Sequence, residues 1–107
     1  MKRFHLALTT RDLPASITDY TSRFGVKPEL VVKNEYALWR TDSLNISVRM
    51  DLKSEPGLLR HLGWEDPSVS SFSEEADVNG ILWERFSAEL QKDETIALWP
   101  SLIGKYS

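Results

Sequence analysis

Two short segments of this sequence resemble each other, and each places a histidine in a strand-like run. The first is FHLAL at residues 4–8, and the second is RHLGWE at residues 60–65. These segments contain both histidines of the chain. Because imidazole is the side chain that most often binds metal ions, the repetition predicts two related modules that offer one ligand each, His5 and His61.

A third ligand would complete a metal site, and the best candidate is Glu84. It lies in a strand-like run that follows an Asn79-Gly80 turn. Two imidazoles and one carboxylate on one side of an octahedral ion leave three adjacent positions for a bidentate oxygen ligand and another small molecule. This donor set suits Fe or Mn, with Zn or Ni as further candidates, and Glu84 is also the candidate catalytic residue. The alternative is that both histidines are ordinary strand residues, that Glu84 is a solvated charge, and that no cofactor is bound.

The composition limits the classes of partner. The chain has 107 residues and a net charge of −3, so we expect one domain over residues 1–107 and no nucleic-acid partner, since phosphate binding requires a basic surface. Because the chain contains no cysteine, disulfides and thiolate chemistry are excluded. The two basic residues near the start precede no long apolar stretch, so neither a signal peptide nor membrane attachment is expected. A cytoplasmic protein that binds a small molecule is the simplest interpretation.

The first half alternates between strand and helix periodicity. Residues 4–9 predict a strand. A helix begins with Asp12 and Pro14 and ends at Gly25, a typical C-terminal cap. Three extended runs follow, at residues 29–33, 36–41 and 44–50. Residues 1–53 therefore predict a βαβββ module.

The second half is shorter than the first. Residues 51–57 have the composition of a linker. The segments predicted after it are a strand at 59–65, a weak extended run at 69–74, a strand at 81–86 and a C-terminal helix at 87–99. The number of residues between His61 and Glu84 is too small for both a crossover helix and all the strands of the first module. Residues 57–86 therefore predict an abbreviated second module. We expect the C-terminal helix to cover an exposed edge of the sheet.

Polar and apolar residues alternate along the run 44–50. Asn45, Ser47 and Arg49 share one face, and the opposite face is apolar. Ser47 and Arg49 are candidate substrate-binding residues, because the planar guanidinium of Arg49 suits a carboxylate or a phosphonate. The alternative is that this face is solvated and that Arg49 is a surface residue. Glu65 is expected on the same strand face as His61. It could serve as a base, but a glutamate at a strand end is more commonly solvated.

Four features together resemble the vicinal oxygen chelate superfamily. They are the βαβββ order with a histidine in its first strand, YTSRFG at residues 20–25, PGLLRHLG at 56–63 and DVNGILWE at 77–84. That superfamily includes glyoxalase I, the extradiol dioxygenases, and the bleomycin and fosfomycin resistance proteins, and the resemblance covers residues 3–86. It implies an α+β fold in which paired modules surround a divalent metal ion. By position, it places the metal ligands at His5, His61 and Glu84.

The resemblance implies one of two functions. The first is a divalent-metal-dependent lyase, isomerase or dioxygenase that acts on a substrate with vicinal oxygens. The second is a dimeric, metal-free binding or resistance-type protein. In both cases the shortened second module leaves sheet edge and apolar surface uncovered, so we expect a homodimer. Trp64 and Trp83 lie on strand faces opposite the proposed ligands and are expected in the core or in the dimer contact.

Overall fold

The computed structural model describes residues 1–102, which form one mixed sheet of seven strands with a helix on each face. Residues 103–107 of the predicted domain lie outside this description. The elements are β1 Arg3–Thr10, α1 Leu13–Phe24, β2 Leu30–Val32, β3 Tyr36–Arg40, β4 Leu44–Met50, β5 Leu59–Glu65, β6 Ser73–Ala76, β7 Leu82–Phe86, α2 Ala88–Leu98 and a short 3-10 helix at Pro100–Leu102. The α+β class predicted from the sequence is confirmed.

The strands are arranged in the order β2-β3-β4-β1-β5-β7-β6. In the first half of the sheet, β4 runs parallel to β1 and antiparallel to β3. In the second half, β7 runs parallel to β5 and antiparallel to β6. The halves meet where β1 pairs with β5 in antiparallel orientation. The strands that carry His5 and His61 are therefore neighbours at the centre of the sheet.

Helix α1 begins and ends as predicted. Asp12 accepts a hydrogen bond from the Ala15 amide at the N-terminus, and Gly25 ends the helix in the left-handed conformation, with a φ of 72°. The apolar side of α1 packs on Trp39 and Val48, on the sheet face that we call the outer face. These contacts form a buried core on the β3 and β4 side of the sheet.

The other half of the outer face, on β1, β5 and β7, has no helix packed on it within residues 1–102. Phe4 contacts Trp64 and Trp83 there, with ring centroids 5.2 Å and 6.2 Å apart, and all three side chains remain partly exposed. Only residues 66–72 connect β5 to β6, where the first half of the chain has room for α1. The result is an apolar surface that we call the open half-face.

Helix α2 lies over the opposite, inner face, and not at a sheet edge as the sequence predicts. Ser87 caps its N-terminus by accepting a hydrogen bond from the Leu90 amide, and Gln91 hydrogen-bonds with Asn45 of β4. Asn45 and Ser47 are buried, so the alternative of a solvated polar face is wrong for these two residues. A buried polar face is tolerated because α2 supplies polar partners to it.

Several strand and helix boundaries differ from the prediction by one residue, and the boundaries of β6 differ by more. The extended run expected at residues 69–74 is strand β6, at Ser73–Ala76. Strand β6 begins later than predicted because a turn follows β5. The Asp66 carboxylate stabilises this turn by accepting hydrogen bonds from the amide and the hydroxyl of Ser68. The helix expected over residues 87–99 spans Ala88–Leu98.

Candidate metal centre

The inner face brings the three predicted ligands together. His5 lies on β1, His61 on β5 and Glu84 on β7. The two Nε2 atoms are 2.9 Å apart, and His61 Nε2 is 3.0 Å from Glu84 Oε1. One ligand atom from each of the three residues lies within 4.8 Å of the others. Both imidazoles therefore point into one concavity, as a shared metal site requires.

Two of the three separations fit adjacent ligands of a divalent ion, and the third pair, His5 and Glu84, lies within 4.8 Å. Adjacent nitrogen or oxygen ligands, each about 2.1 Å from an octahedral ion, are about 3.0 Å from each other. The His5–His61 and His61–Glu84 distances of 2.9 Å and 3.0 Å agree with that value. His5 is 2% exposed, and the side chains of His61 and Glu84 are 14% and 12% exposed. The ligand atoms are thus shielded from bulk solvent, with a narrow opening beside His61 and Glu84.

Asn45 determines which nitrogen of His5 faces the other two residues. His5 Nδ1 lies 2.9 Å from Asn45 Oδ1 and 3.0 Å from the Asn45 carbonyl oxygen. Both oxygens accept hydrogen bonds and donate none, so Nδ1 carries the proton. The lone pair is then on Nε2, the atom directed toward His61. Metal-ligating histidines typically donate their other ring N–H to an oxygen in this way.

Glu65 in turn fixes the orientation of the Asn45 amide. Asn45 Nδ2 donates to Glu65 Oε1 at 2.8 Å, and Arg3 and Arg40 donate to the same carboxylate. Burial acts to raise the pKa of Glu65, but the hydrogen bonds from Arg40 and Asn45 outweigh it and lower the pKa to about 2. Because an ionised carboxylate only accepts hydrogen bonds, the amide nitrogen points toward Glu65 and the amide oxygen toward His5.

His5 is neutral at neutral pH. Burial has the largest effect on its pKa and His61 acts in the same direction, so the pKa of His5 lies below its ordinary value of 6.5. The hydrogen bonds with Asn45 and the charge of Glu84 oppose this change without reversing it. Since a neutral imidazole is the form that binds a metal ion, the inner face keeps His5 ready for that role.

Gly63 allows β7 to approach β5 at Glu84. The two residues are partners in the parallel pairing of these strands. A Cβ atom at residue 63 would lie 2.8 Å from the carbonyl carbon and 2.9 Å from the amide nitrogen of Glu84, closer than van der Waals contact permits. A larger residue would therefore push β7 away from the histidines.

Ser47 and Arg49 line the same cavity as the three candidate ligands. The cavity has a volume of about 60 Å³, and α2 with the segment after it closes one side through Gln91, Glu94 and Trp99. Arg49 places its guanidinium over the Trp99 ring, 5.5 Å from the centroid. Arg49 is half-buried, whereas the alternative interpretation places it on a solvated face.

Sequence reasoning missed the residues that approach the site from α2 and from β5. Gln91 and Glu94 are three positions apart and share one side of α2, but nothing local indicates that this side covers a polar cavity. Burial, and next the charge of Glu84, raise the pKa of Glu94. Arg60 lines the cavity beside His61, although neighbouring residues of a regular strand point to opposite faces.

A larger cavity lies on the outer side of the sheet. Its volume is about 480 Å³, and its walls include Trp64, Trp83 and strand β6. It borders the sheet at Glu84 but is lined by neither histidine. Its size suits an organic ligand better than the inner cavity does, whereas the groups capable of metal chemistry converge on the inner face. We therefore treat the inner cavity as the candidate reaction site.

Comparison of the chain with protein-family models gives no match. A search of curated proteins finds no significantly similar sequence. Within residues 1–102, no helix has the length and apolar character needed to cross a membrane.

Proposed function

We propose that this protein is a divalent-metal-dependent enzyme of the vicinal oxygen chelate type, which acts as a lyase, isomerase or dioxygenase on a small molecule with two adjacent oxygens. The observation that carries the proposal is the convergence of His5, His61 and Glu84 from three strands of the sheet. The hydrogen bonds behind His5 support it, because they leave Nε2 with a lone pair directed toward the other two ligands.

The pairing of the strands supports the resemblance to that superfamily. Ser47 of β4 pairs with Ala7, the second residue after His5. Glu84 of β7 pairs with Gly63, the second residue after the other histidine. Ser47 and Glu84 therefore occupy corresponding positions in the two halves of the sheet. This correspondence is expected if the halves are related modules and the second has lost its helix.

Each residue has a defined part in the proposed chemistry. His5, His61 and Glu84 would hold the ion, which when bound supplies Lewis acidity to the oxygens of the substrate. Glu84 presents one carboxylate oxygen to His61, and we assign its other oxygen as the base that accepts and returns a substrate proton. The hydroxyl of Ser47 and the guanidinium of Arg49 line the same cavity and orient the substrate.

Elemental analysis tests the metal site directly. The purified protein is stripped with a chelator, reloaded separately with Fe(II), Mn(II), Zn(II) or Ni(II), and analysed after removal of free metal. We expect one ion per chain in the wild type and a strong loss in His61→Ala and Glu84→Gln, because each variant lacks one ligand. Glu75→Gln is the matched control, since it removes an exposed carboxylate of β6. A wild type without metal, or Glu84→Gln with full metal content, would overturn the proposal.

The outer cavity favours a second candidate function, a metal-free protein that binds a small molecule. Two indole side chains in a cavity of about 480 Å³, whose lining also includes Glu74, Glu75 and Asp77, suit a flat ligand that carries polar groups. A screen that follows tryptophan fluorescence in chelator-treated protein tests this function. Quenching that is lost in Trp83→Leu and retained in Trp99→Leu, on the inner side, would support it. Quenching that depends on added metal would instead support the metal-dependent enzyme.

A further inference from the structure

Two arginines stand between the inner cavity and a third, more open cavity. The inner cavity, of about 60 Å³, contains the candidate metal ligands. The open cavity, of about 340 Å³, is lined by Arg49, Met50, Asp51 and Arg60. Arg49 and Arg60 are common to both linings. A molecule that extends from the open cavity to the metal ligands therefore passes both guanidinium groups.

Arg60 reaches the inner cavity because β5 contains a bulge. His61 pairs with Ala7, and Leu59 pairs with the next residue of β1. Arg60 therefore has no partner on β1. The extra residue of a bulge breaks the alternation of side chains between the two faces, and bulges often redirect a side chain next to an active site. As a result, Arg60 and His61 line the same cavity although they are adjacent in sequence.

The two guanidinium groups lack the close ion pairs that four other arginines have, and the carboxylates of Glu84 and Glu94 act on Arg60 only from a longer distance. Within residues 1–102, Arg49 and Arg60 form no ion pair. Ion pairs with carboxylates are made by Arg3, Arg23, Arg40 and Arg85. Arg49 and Arg60 are both half-buried and line the same two cavities. Two half-buried cations that repel each other are stabilised by an anion placed between them.

We infer that Arg49 and Arg60 form a binding site for an oxyanion of the substrate, namely a carboxylate, phosphate or phosphonate group attached to the part that carries the vicinal oxygens. The inference rests on the proposed metal-dependent function and names its substrate class. Guanidinium groups bind such anions through parallel charge-assisted hydrogen bonds. The open cavity provides the volume for this group that the inner cavity lacks.

The charges around the two cavities are compatible with an anion. The acidic residues in their linings are Glu84, Glu94 and Asp51. Asp51 accepts hydrogen bonds from the Ser54 hydroxyl and the Lys53 amide, and Glu84 is a ligand of the proposed ion. Glu94 and Asp51 remain as negative charges, and they are opposed by two arginines and the divalent ion of the proposed function. The potential that an incoming oxyanion meets is therefore positive in the metal-loaded protein.

Isothermal titration calorimetry with phenylphosphonate tests the inference. The protein is titrated in metal-loaded and metal-free form, and the neutral dimethyl ester of phenylphosphonate is the matched ligand. The variants are Arg49→Gln and Arg60→Gln. Arg23→Gln is the control, because it removes the same charge from a side chain that is 70% exposed on α1. We expect the wild type to bind phenylphosphonate and not its ester. The affinity for phenylphosphonate should fall about tenfold or more in Arg49→Gln and in Arg60→Gln, because each variant loses a charge-assisted hydrogen bond. The affinity of the Arg23→Gln control should equal that of the wild type.

Elemental analysis of the same samples separates this inference from the proposed function. The anion site is overturned if Arg49→Gln and Arg60→Gln both bind phenylphosphonate with wild-type affinity. It is also overturned if the metal-loaded wild type does not bind phenylphosphonate. Arginine-dependent binding by a protein that takes up no metal supports the anion site and overturns the metal-dependent function. Melting curves establish that each variant is folded. A glutamine variant that does not fold is replaced by lysine, for which a smaller loss of affinity is expected because the charge is kept and the planar fork is lost.

Discussion

Asn45 is the residue through which the fold controls His5. Its side chain is fully buried, at 0% exposure. Oδ1 faces His5 and Gln91, while Nδ2 faces Glu65 and Gln91. An amide with partners on both ends loses several hydrogen bonds if it rotates. The tautomer of His5 is therefore set by residues from β4, β5 and α2.

Replacement of Asn45 by alanine should weaken metal binding without removing a ligand. Loss of such a supporting hydrogen bond typically reduces metal affinity by about 10-fold to 100-fold. Competition with a chromophoric chelator measures the affinity in samples that circular dichroism shows to be folded. Asn79→Ala, in the turn between β6 and β7, is the control and should bind metal like the wild type. Equal affinities of Asn45→Ala and wild type would contradict the role assigned to Asn45.

Glu65 makes the free energy of unfolding depend on pH in the acid range. Its pKa is lowered from 4.5 to about 2, so the folded state takes up a proton less readily than the unfolded state. The carboxylate contributes its full stability above pH 4.5, and this contribution is lost as the pH falls through about 2. A pKa difference of this size corresponds to an upper value of about 3 kcal/mol.

Urea unfolding from neutral to acid pH measures this contribution. The free energy of unfolding of the wild type should fall as Glu65 becomes protonated. Glu65→Gln should be less stable at neutral pH, because Arg3 and Arg40 lose their anionic partner, and its stability should vary less with acid. An identical pH dependence in both proteins would show that Glu65 is not the responsible group.

At the level of elements, the position of β7 depends on Gly63. Gly63→Ala should lower the free energy of unfolding by roughly 3 kcal/mol, since the added methyl group meets backbone atoms of Glu84 that have no rotamer to change. It should also weaken metal binding, because Glu84 moves with β7. The measurements are urea unfolding and chelator competition.

Gly57→Ala is the control for that substitution. Gly57 has a φ of 74° and no other atom within 4 Å of an added Cβ, so the cost is limited to left-handed backbone strain of about 1–2 kcal/mol. Metal affinity should be unchanged in Gly57→Ala. A Gly63→Ala protein that bound metal as tightly as Gly57→Ala would contradict the account of β7.

The sequence predicts well those helices and strands whose bounds are set by neighbouring residues in the chain. The caps of α1 lie within a few residues of its ends, and the alternation along residues 44–50 predicts β4 to the residue. Strand β6 is less predictable, since its four residues are all exposed and carry no apolar face. The placement of α2 over the inner face depends on its contacts with β4, which its weakly amphipathic sequence does not indicate.

In the candidate site, too, the sequence predicts what is local and misses what depends on contacts between strands. The repeated segments indicate His5 and His61, and strand parity is consistent with imidazoles on one face, but the pairing of β1 with β5 is what brings them together. Glu65, expected as a solvated strand end, is 2% exposed, because Arg3 and Arg40 reach it from β1 and β3. The orientation of Arg60 depends on a bulge that exists only once β1 and β5 have paired. Sequence patterns within one strand do not contain such non-local information.

For the whole molecule, the open half-face predicts self-association. The edge strands β2 and β6 have three and four residues, and β6 carries Glu74 and Glu75, features that discourage pairing through the edges. We therefore propose a dimer in which two copies of the chain bury Phe4, Trp64 and Trp83 face to face.

Light scattering at micromolar concentration should give the mass of a dimer. Trp64→Glu should give a monomer, because a charge at the centre of an apolar contact is costly to bury. Leu52→Glu, at a side chain that is 72% exposed in the loop after β4, is the control and should remain dimeric. A monomeric wild type would contradict the proposed contact.

Helix α2 has a further consequence for the timing of events at the inner cavity. Thr95 is the only buried residue within the helix, and the contacts of α2 with β4 are polar, so separating it from the sheet costs less free energy than unfolding the strands. Hydrogen–deuterium exchange should show the amides of α2 exchanging before those of β1 and β4, and more slowly when metal is bound. Exchange of all three elements at one common rate would contradict this expectation. If α2 opens separately in the proposed enzyme, the rate at which a reaction product escapes would be a property of this helix, and substitutions on its sheet-facing side would alter turnover without touching any reacting atom.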